Sequence, residues 1–175
     1  ILKNPGNGII EALNYGLKHA LAEVDCEYIA RMDADDIAHR QRLEKQLAYQ
    51  RVNPKIDIIG AKVQMFGKNI GDGYRHYEQS INALVEPEEI SLNMYVESPI
   101  PHPTAFAHKH IWQKLGGYLD HGWPEDYDLW LRLSKICMIT HVPECLAIAN
   151  EHGENQSLKM TNEIFQKHAQ ILGGR

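Results

Sequence analysis

The stretch Glu27–Gln46, EYIARMDADDIAHRQRLEKQ, decides how the chain folds. A short, mostly apolar run ends in three carboxylates, Asp33, Asp35 and Asp36, and a strongly helical segment follows. Like charges crowded into so few positions repel, so a chain that keeps them offers them a helix start, a basic side chain or a metal ion. Residues 26–32 read as a strand. RQRLEKQLAYQRVN reads as a helix with Leu43, Gln46, Leu47 and Gln50 on one side, ended by Asn53-Pro54. The acids therefore sit at the carboxyl end of a strand, where open α/β sheets keep their ligand crevice.

Working outward, Asn7 or Gly8 can cap a helix carrying Ile10, Leu13, Asn14, Leu17 and Leu21 on one face. IDIIGAKVQMFG reads as a buried strand, and residues 68–85 are weakly patterned. PEEISLNMYV has proline and acids at a helix start. Residues 104–107 are extended, and IWQKLGGY is a helical turn stopped by Gly116-Gly117. PEDYDLWLRLSK is a further helix, MITHVPECLAIAN two short extended pieces around Pro143, and Ser157 to Leu172 an amphipathic helix. Strands alternating with helices predict an α/β layer fold.

Composition narrows the function classes. The 175 residues suffice for one core, and 43% apolar with 23% charged content is ordinary for a globular chain. A net charge of -5 offers no surface for nucleic acid. No apolar run is long enough to cross a bilayer, and the start does not resemble a signal peptide. Three scattered cysteines without a CxxC pair suit a reduced, cytoplasmic setting. Among ten histidines there is no HExxH, and His108 and His110, at i and i+2, read as surface residues on different helix faces.

The acidic cluster has several readings. Asp36 can cap the helix starting near His39, which leaves Asp33 unexplained. Asp33 and Asp35, at i and i+2 in an extended segment, point to one side, as a hard divalent cation requires. An EF-hand fails because Ile37 and Ala38 stand where an oxygen ligand and a glycine are needed. A phosphatase-like DxD fits poorly because Arg31 interrupts the strand. A second acidic pair, Glu125-Asp126, follows Pro124. It is either ordinary helix N-terminal chemistry or a general base held on a rigid helix start.

These segments resemble a known family. NPGNGIIEALNYGL, EYIARMDADD, RLEKQ, NPKIDIIGAKV, HPTAFAHK and GGY followed by EDYDLWLRL are similar, in order from Asn4 to about Leu146, to family 2 glycosyltransferases with the GT-A fold. The resemblance implies a Rossmann-like mixed sheet flanked by helices. It implies that Asp33 and Asp35 are the DXD pair holding Mn²⁺ or Mg²⁺ against the diphosphate of a nucleotide-sugar donor. Asp126 is then the general base, with Glu125 beside it, in an inverting displacement by an acceptor hydroxyl. Asn7 and Arg31 fall at the donor side, His102 and Thr104 at the side of a glycan or lipid-linked acceptor, and His152 where relatives have a histidine near the metal.

Three departures accompany it. Arg40 replaces a usual proline, and Asn150-Glu151 replace a Tyr-Arg before His152. The strand, helix and acidic turn that open the family's nucleotide-binding half do not precede Ile1. The expectation is a GT-A-like domain over 1–150, N-terminally truncated, with a helical tail over 151–175. An open sheet edge predicts homodimer formation. The expected location is cytoplasmic, at the cytoplasmic face of the membrane, in cell-surface glycan synthesis.

Overall fold

Residues 31–36 join opposite edges of one sheet. The computed structural model describes residues 2–150 apart from residues 24, 68, 69 and 123. The strands are β1 (Tyr28–Ala30), β2 (Ile37–Ala38), β3 (Ile58–Phe66), β4 (Phe106–His108) and β5 (Ile139–Asn150), in the order β1-β4-β3-β5-β2. β3 and β5 are parallel and the other pairs antiparallel. Crossing four gaps of about 4.8 Å needs about 19 Å, and seven residue steps reach roughly 24 Å. The connection is therefore nearly direct, which suspends the acidic turn over the middle of the sheet.

Among the described residues six helices flank the sheet: α1 (Ile9–Glu23), α2 (Arg42–Val52), α3 (Asp72–Ala83), α4 (Pro87–Asn93), α5 (Lys109–Leu115) and α6 (Glu125–Leu133). A 3-10 turn covers His102–Thr104. Adjacent residues of β3 serve opposite faces, as a strand's two-residue period requires. Ile58 joins Met94, Trp112, Leu129 and Trp130, with Leu13 and Leu17 of α1 packed outside them. Ile59 joins Phe106, Val142 and Leu146, with Leu47 of α2 against them. Burial on both faces accounts for the unbroken apolar run read in the sequence. This is a mixed sheet flanked by helices, as the alternation of segments predicts.

Local chemistry sets the helix ends. Gly8, at φ 93°, precedes α1, and Glu11 folds back to accept the Asn7 backbone N–H. Glu86 and Glu89 form a reciprocal capping box around Pro87. Gly116, at φ 72°, ends α5 in the left-handed conformation. All three cysteines are unpaired. Among the described residues no helix is long and apolar enough to cross a membrane. The expected tail over 151–175 lies outside the described residues.

Four expectations are corrected. MITHVPECLAIAN forms one strand, not two pieces. The register shifts between Ala61 and Val63 let Pro143 and Glu144 stand out of the ladder, where a missing N–H is harmless. Residues 68–85, weakly patterned in the sequence, contain α3, which packs Ile81 and Tyr77 against Val63 and adds polar bonds to β3. Asn82 bonds both the N–H and C=O of Val63 (2.9 and 2.7 Å), and Glu78 accepts from Met65 N (2.7 Å). In α2 the buried side is Arg42, Gln46 and Gln50, while Leu43 is 57% exposed. Finally, His108 and His110 meet, with ring centroids 4.4 Å apart, because His108 is the N-cap of α5 rather than a helical residue.

Candidate active site

β1 ends where its partners change. Arg31 N still donates to Ala105 O (2.8 Å), but the Arg31 carbonyl accepts from Arg42 Nη2 (2.8 Å). Arg42 Nε donates to Gln46 Oε1 (3.0 Å), and Gln46 Nε2 donates to Ile59 O (3.0 Å) and Thr104 O (2.8 Å). The polar inner face of α2 thus satisfies carbonyls of three chain segments under the acidic turn. Burial, then the neighbouring Arg31 charge, pushes Arg42 down to about 10, which leaves it charged near neutrality.

The turn itself differs from the expected extended segment. Ala34 and Asp35 form a turn, so Asp33 and Asp35 flank a bend rather than alternate along a strand. Arg31 Nη1 is ion-paired with Asp33, and Arg31 Nε is buried with no hydrogen-bond partner. Asp36 does not cap α2, whose N-cap is Gln41 without a side-chain bond. It accepts Asn150 N (2.8 Å) and so ties the turn to the end of β5. Burial raises Asp36 above the usual carboxylate range. The Asn150 N–H opposes this, and repulsion from Asp33 and Asp35 adds to it.

The second acidic pair opens α6. Asp126 Oδ1 accepts Tyr127 N (2.8 Å), and Oδ2 lies 3.4 Å from Ser98 Oγ. Burial pushes Asp126 up to about 6, helped by the Glu125 charge and opposed by the Tyr127 N–H and Arg31. Glu125 Oε1 stands 4.0 Å from His102 Nδ1. His102 is 6% exposed, bonded through Nε2 to the Tyr118 hydroxyl (2.9 Å) and set edge-on to Trp130. Burial and then Arg31 hold His102 well below the usual histidine range, so it is neutral.

Arg31 joins the two acidic sites. Its charge acts on Asp36, Asp126, His102 and Tyr118, and the Asp33 charge also reaches Tyr118. The fold therefore gathers Arg31, Asp33, Glu125, Asp126 and His102, with Asp35 exposed on the same turn. Asn7 is exposed at the head of α1, its backbone N–H bonded to Glu11. His152 lies outside the described residues. Thr104 is structural, accepting Ala61 N (3.1 Å) and donating to Pro101 O (2.7 Å).

Sequence reasoning missed Ser98, Tyr118 and Arg42. Tyr118 had a signal in hindsight, being an aromatic with a polar tip directly after a helix-ending Gly-Gly. A hollow of about 730 Å³ lined by Pro87, Met94, Lys135 and Cys137 opens at the opposite end of α6 from Asp126 and takes no part.

Among the described residues no group of three or more histidine, cysteine or acidic side chains is arranged to hold a metal ion. The turn presents two carboxylates beside a third that they repel, so any cation there would need further oxygens from a ligand.

The fold has a solved counterpart. Residues 1–349 of S. aureus TarS superpose with a TM-score of 0.56 over 78% of this chain and 38% of that one, at 19% identity. That likeness concerns the fold alone and agrees with an α/β, GT-A-like arrangement. An uncharacterized glycosyltransferase of Haemophilus influenzae is 34% identical over 85% of this chain and 53% of its own length. The O-antigen biosynthesis glycosyltransferase WbnJ of Escherichia coli is 29% identical over 83% of this chain and 56% of its own. The chain spans about half the length of these curated relatives. A family model described as Glycosyl transferase family 2 matches residues 1–113, and with the two acidic sites in its fold the chain belongs to that family.

Proposed function

We propose that the chain carries the catalytic acids of a metal-dependent, inverting glycosyltransferase. It moves a sugar from a nucleotide-sugar donor to the hydroxyl of a glycan or lipid-linked acceptor at the cytoplasmic face of the membrane, in cell-surface glycan synthesis. The observation that carries this reading is geometric: Asp126 is held in the first turn of α6 by the Tyr127 N–H, and Arg31, ion-paired with Asp33 of the acidic turn, is near enough for its charge to act on it. A base raised to about 6 is ionised near neutrality and still accepts a proton effectively.

Asp126 takes the proton of the acceptor hydroxyl. The freed oxygen attacks the anomeric carbon from the side opposite the diphosphate, and the bond from that carbon to the diphosphate oxygen breaks with inversion. Glu125 keeps negative charge beside the base. Asp33 and Asp35 are the residues that would hold Mn²⁺ or Mg²⁺. Their fit rests on the repulsion they exert on Asp36, which a cation relieves, and on an incomplete ligand set that phosphate oxygens complete. The ion supplies charge neutralisation for the departing nucleoside diphosphate. Arg31, with its buried unpartnered Nε, adds positive charge on the donor side.

A second reading is binding of cation or sugar without transfer. Calorimetry with Mn²⁺ and UDP separates the two. Cation-dependent nucleotide binding that is lost in Asp33→Asn supports the first, and binding of Mn²⁺ with no binding of UDP supports the second. In a transfer assay over a panel of nucleotide sugars, Asp126→Asn should lower turnover by about 10²-fold or more while nucleotide binding persists. Undiminished transfer would remove Asp126 from the base role.

A further inference from the structure

Tyr118 is held from two sides. From α1, Asn14 Nδ2 donates to Tyr118 O (2.9 Å), and Asn14 Oδ1 accepts Tyr118 N (2.7 Å). From α6, Arg132 donates to Leu115 O (2.8 Å) and Gly117 O (2.9 Å), and Asp128 locks its Nε (2.8 Å). Gly117 has φ 94°, and a Cβ there would fall 2.7 Å from Asn14 Oδ1, so only glycine allows this clasp. An asparagine side chain that satisfies both backbone groups of one residue fixes that residue's position closely. The fixed element here is the Tyr118 hydroxyl, 2.9 Å from His102 Nε2.

A neutral imidazole carries one N–H, and the other nitrogen accepts. The Tyr118 hydroxyl can serve either arrangement. Glu125, 4.0 Å from Nδ1, cannot, because an ionised carboxylate only accepts. A lone pair on Nδ1 would face that negative charge, whereas an N–H is attracted to it. At 4.0 Å the contact is longer than a hydrogen bond, so it orients the carboxylate rather than binding it tightly.

We infer that Tyr118 and His102 are positioning residues: the Tyr118 hydroxyl donates to Nε2, the imidazole carries its proton on Nδ1, and that N–H holds Glu125 in place beside Asp126. Asn14 anchors the chain of contacts from α1. The inference reassigns His102 from the acceptor to the catalytic pair, and its functional meaning rests on the reading of Asp126 as base. The charged and titratable groups acting on the pair are Arg31 from the end of β1, His102 and Tyr118, with the Ser98 hydroxyl against Asp126.

The test needs no donor or acceptor. Long-range ¹H–¹⁵N correlation on the labelled chain reports the His102 tautomer, and ¹³C carboxyl shifts report the Asp126 titration midpoint. The parent should show His102 with its proton on Nδ1 near neutral pH. In Glu125→Ala that preference should be lost, because the Tyr118 hydroxyl serves either tautomer. In Tyr118→Phe the imidazole loses its anchor, and the Asp126 midpoint should fall by roughly half a unit or more as Glu125 leaves its side. A parent proton on Nε2 overturns the inference, as do a tautomer that Glu125→Ala leaves unchanged and a midpoint that Tyr118→Phe leaves unchanged. The parent tautomer decides the matter even if a variant fails to fold. Because no transfer is measured, failure here would leave the glycosyl-transfer reading intact, and loss of that reading would leave these contacts to be tested.

Discussion

Asp126 sits in the first turn of α6, where the helix dipole favours a charged carboxylate. It is nevertheless raised to about 6, because burial and the Glu125 charge outweigh the dipole and the Tyr127 N–H. Ionising the Asp126 carboxylate therefore costs the fold stability. The folded chain binds the Asp126 proton more tightly than the unfolded one, so this group's contribution to stability is fully present below about pH 4 and falls as pH rises through about 6. Asp126→Asn removes that loss, and the variant should be more stable than the parent by about 1–3 kcal/mol at pH 8. The advantage should vanish near pH 4 in urea melts run as a function of pH. His141, fully buried and lowered to about 4, has the opposite slope, so only the difference between parent and variant isolates Asp126. Residue types at this scale were legible from the sequence: Asp33, Asp35, Glu125 and Asp126 announce themselves by charge and position. Tyr118 carries only the weaker signal of an aromatic after Gly-Gly, because its placement depends on Asn14, 104 positions away.

Helix α2 shows what the sequence hides at the scale of an element. The face read from the sequence holds at Gln46, Leu47 and Gln50, yet the helix turns Arg42 inward and leaves Leu43 exposed. The reason lies in the strands beneath, which end with the carbonyls of Arg31, Ile56, Ile59 and Thr104 needing donors. Periodicity of apolar residues reports buried area but not unsatisfied backbone. Arg42 lies directly under the acidic turn. Arg42→Met leaves the Arg31 carbonyl and Gln46 Oε1 without donors, and should destabilise by about 2–6 kcal/mol at about 1–3 kcal/mol per buried group. Arg42→Lys keeps the charge but not the planar fork, so it should fall between parent and methionine variant. Urea midpoints with unchanged slopes would check the order. A lysine variant as stable as the parent would show that charge alone suffices there.

At the scale of the whole molecule, the order of the sheet explains both the site and its exposed flank. The crossing from β1 to β2 is what brings the acidic turn over the central strands. It could not be read from sequence because β2 is two residues long and pairs with a strand more than a hundred positions later. The same crossing leaves β1 at an edge, with β4 as its neighbour. Glu27 and Arg31 bond toward β4, so by alternation Tyr28 and Ala30 turn their backbone groups away from it. Two such residues, paired with a second copy about a two-fold axis, give at most about four hydrogen bonds of roughly 1 kcal/mol each. Association costs at least about 4 kcal/mol in lost freedom, so this edge alone supports only weak pairing. Sedimentation velocity should therefore show a monomer at low concentration, with self-association emerging only in concentrated solution. Ala30→Pro removes an outward N–H without touching the bonds to β4, and should abolish that association while leaving the melting temperature nearly unchanged. If the proline variant associates as the parent does, the contact lies elsewhere and the edge of β1 is not the interface.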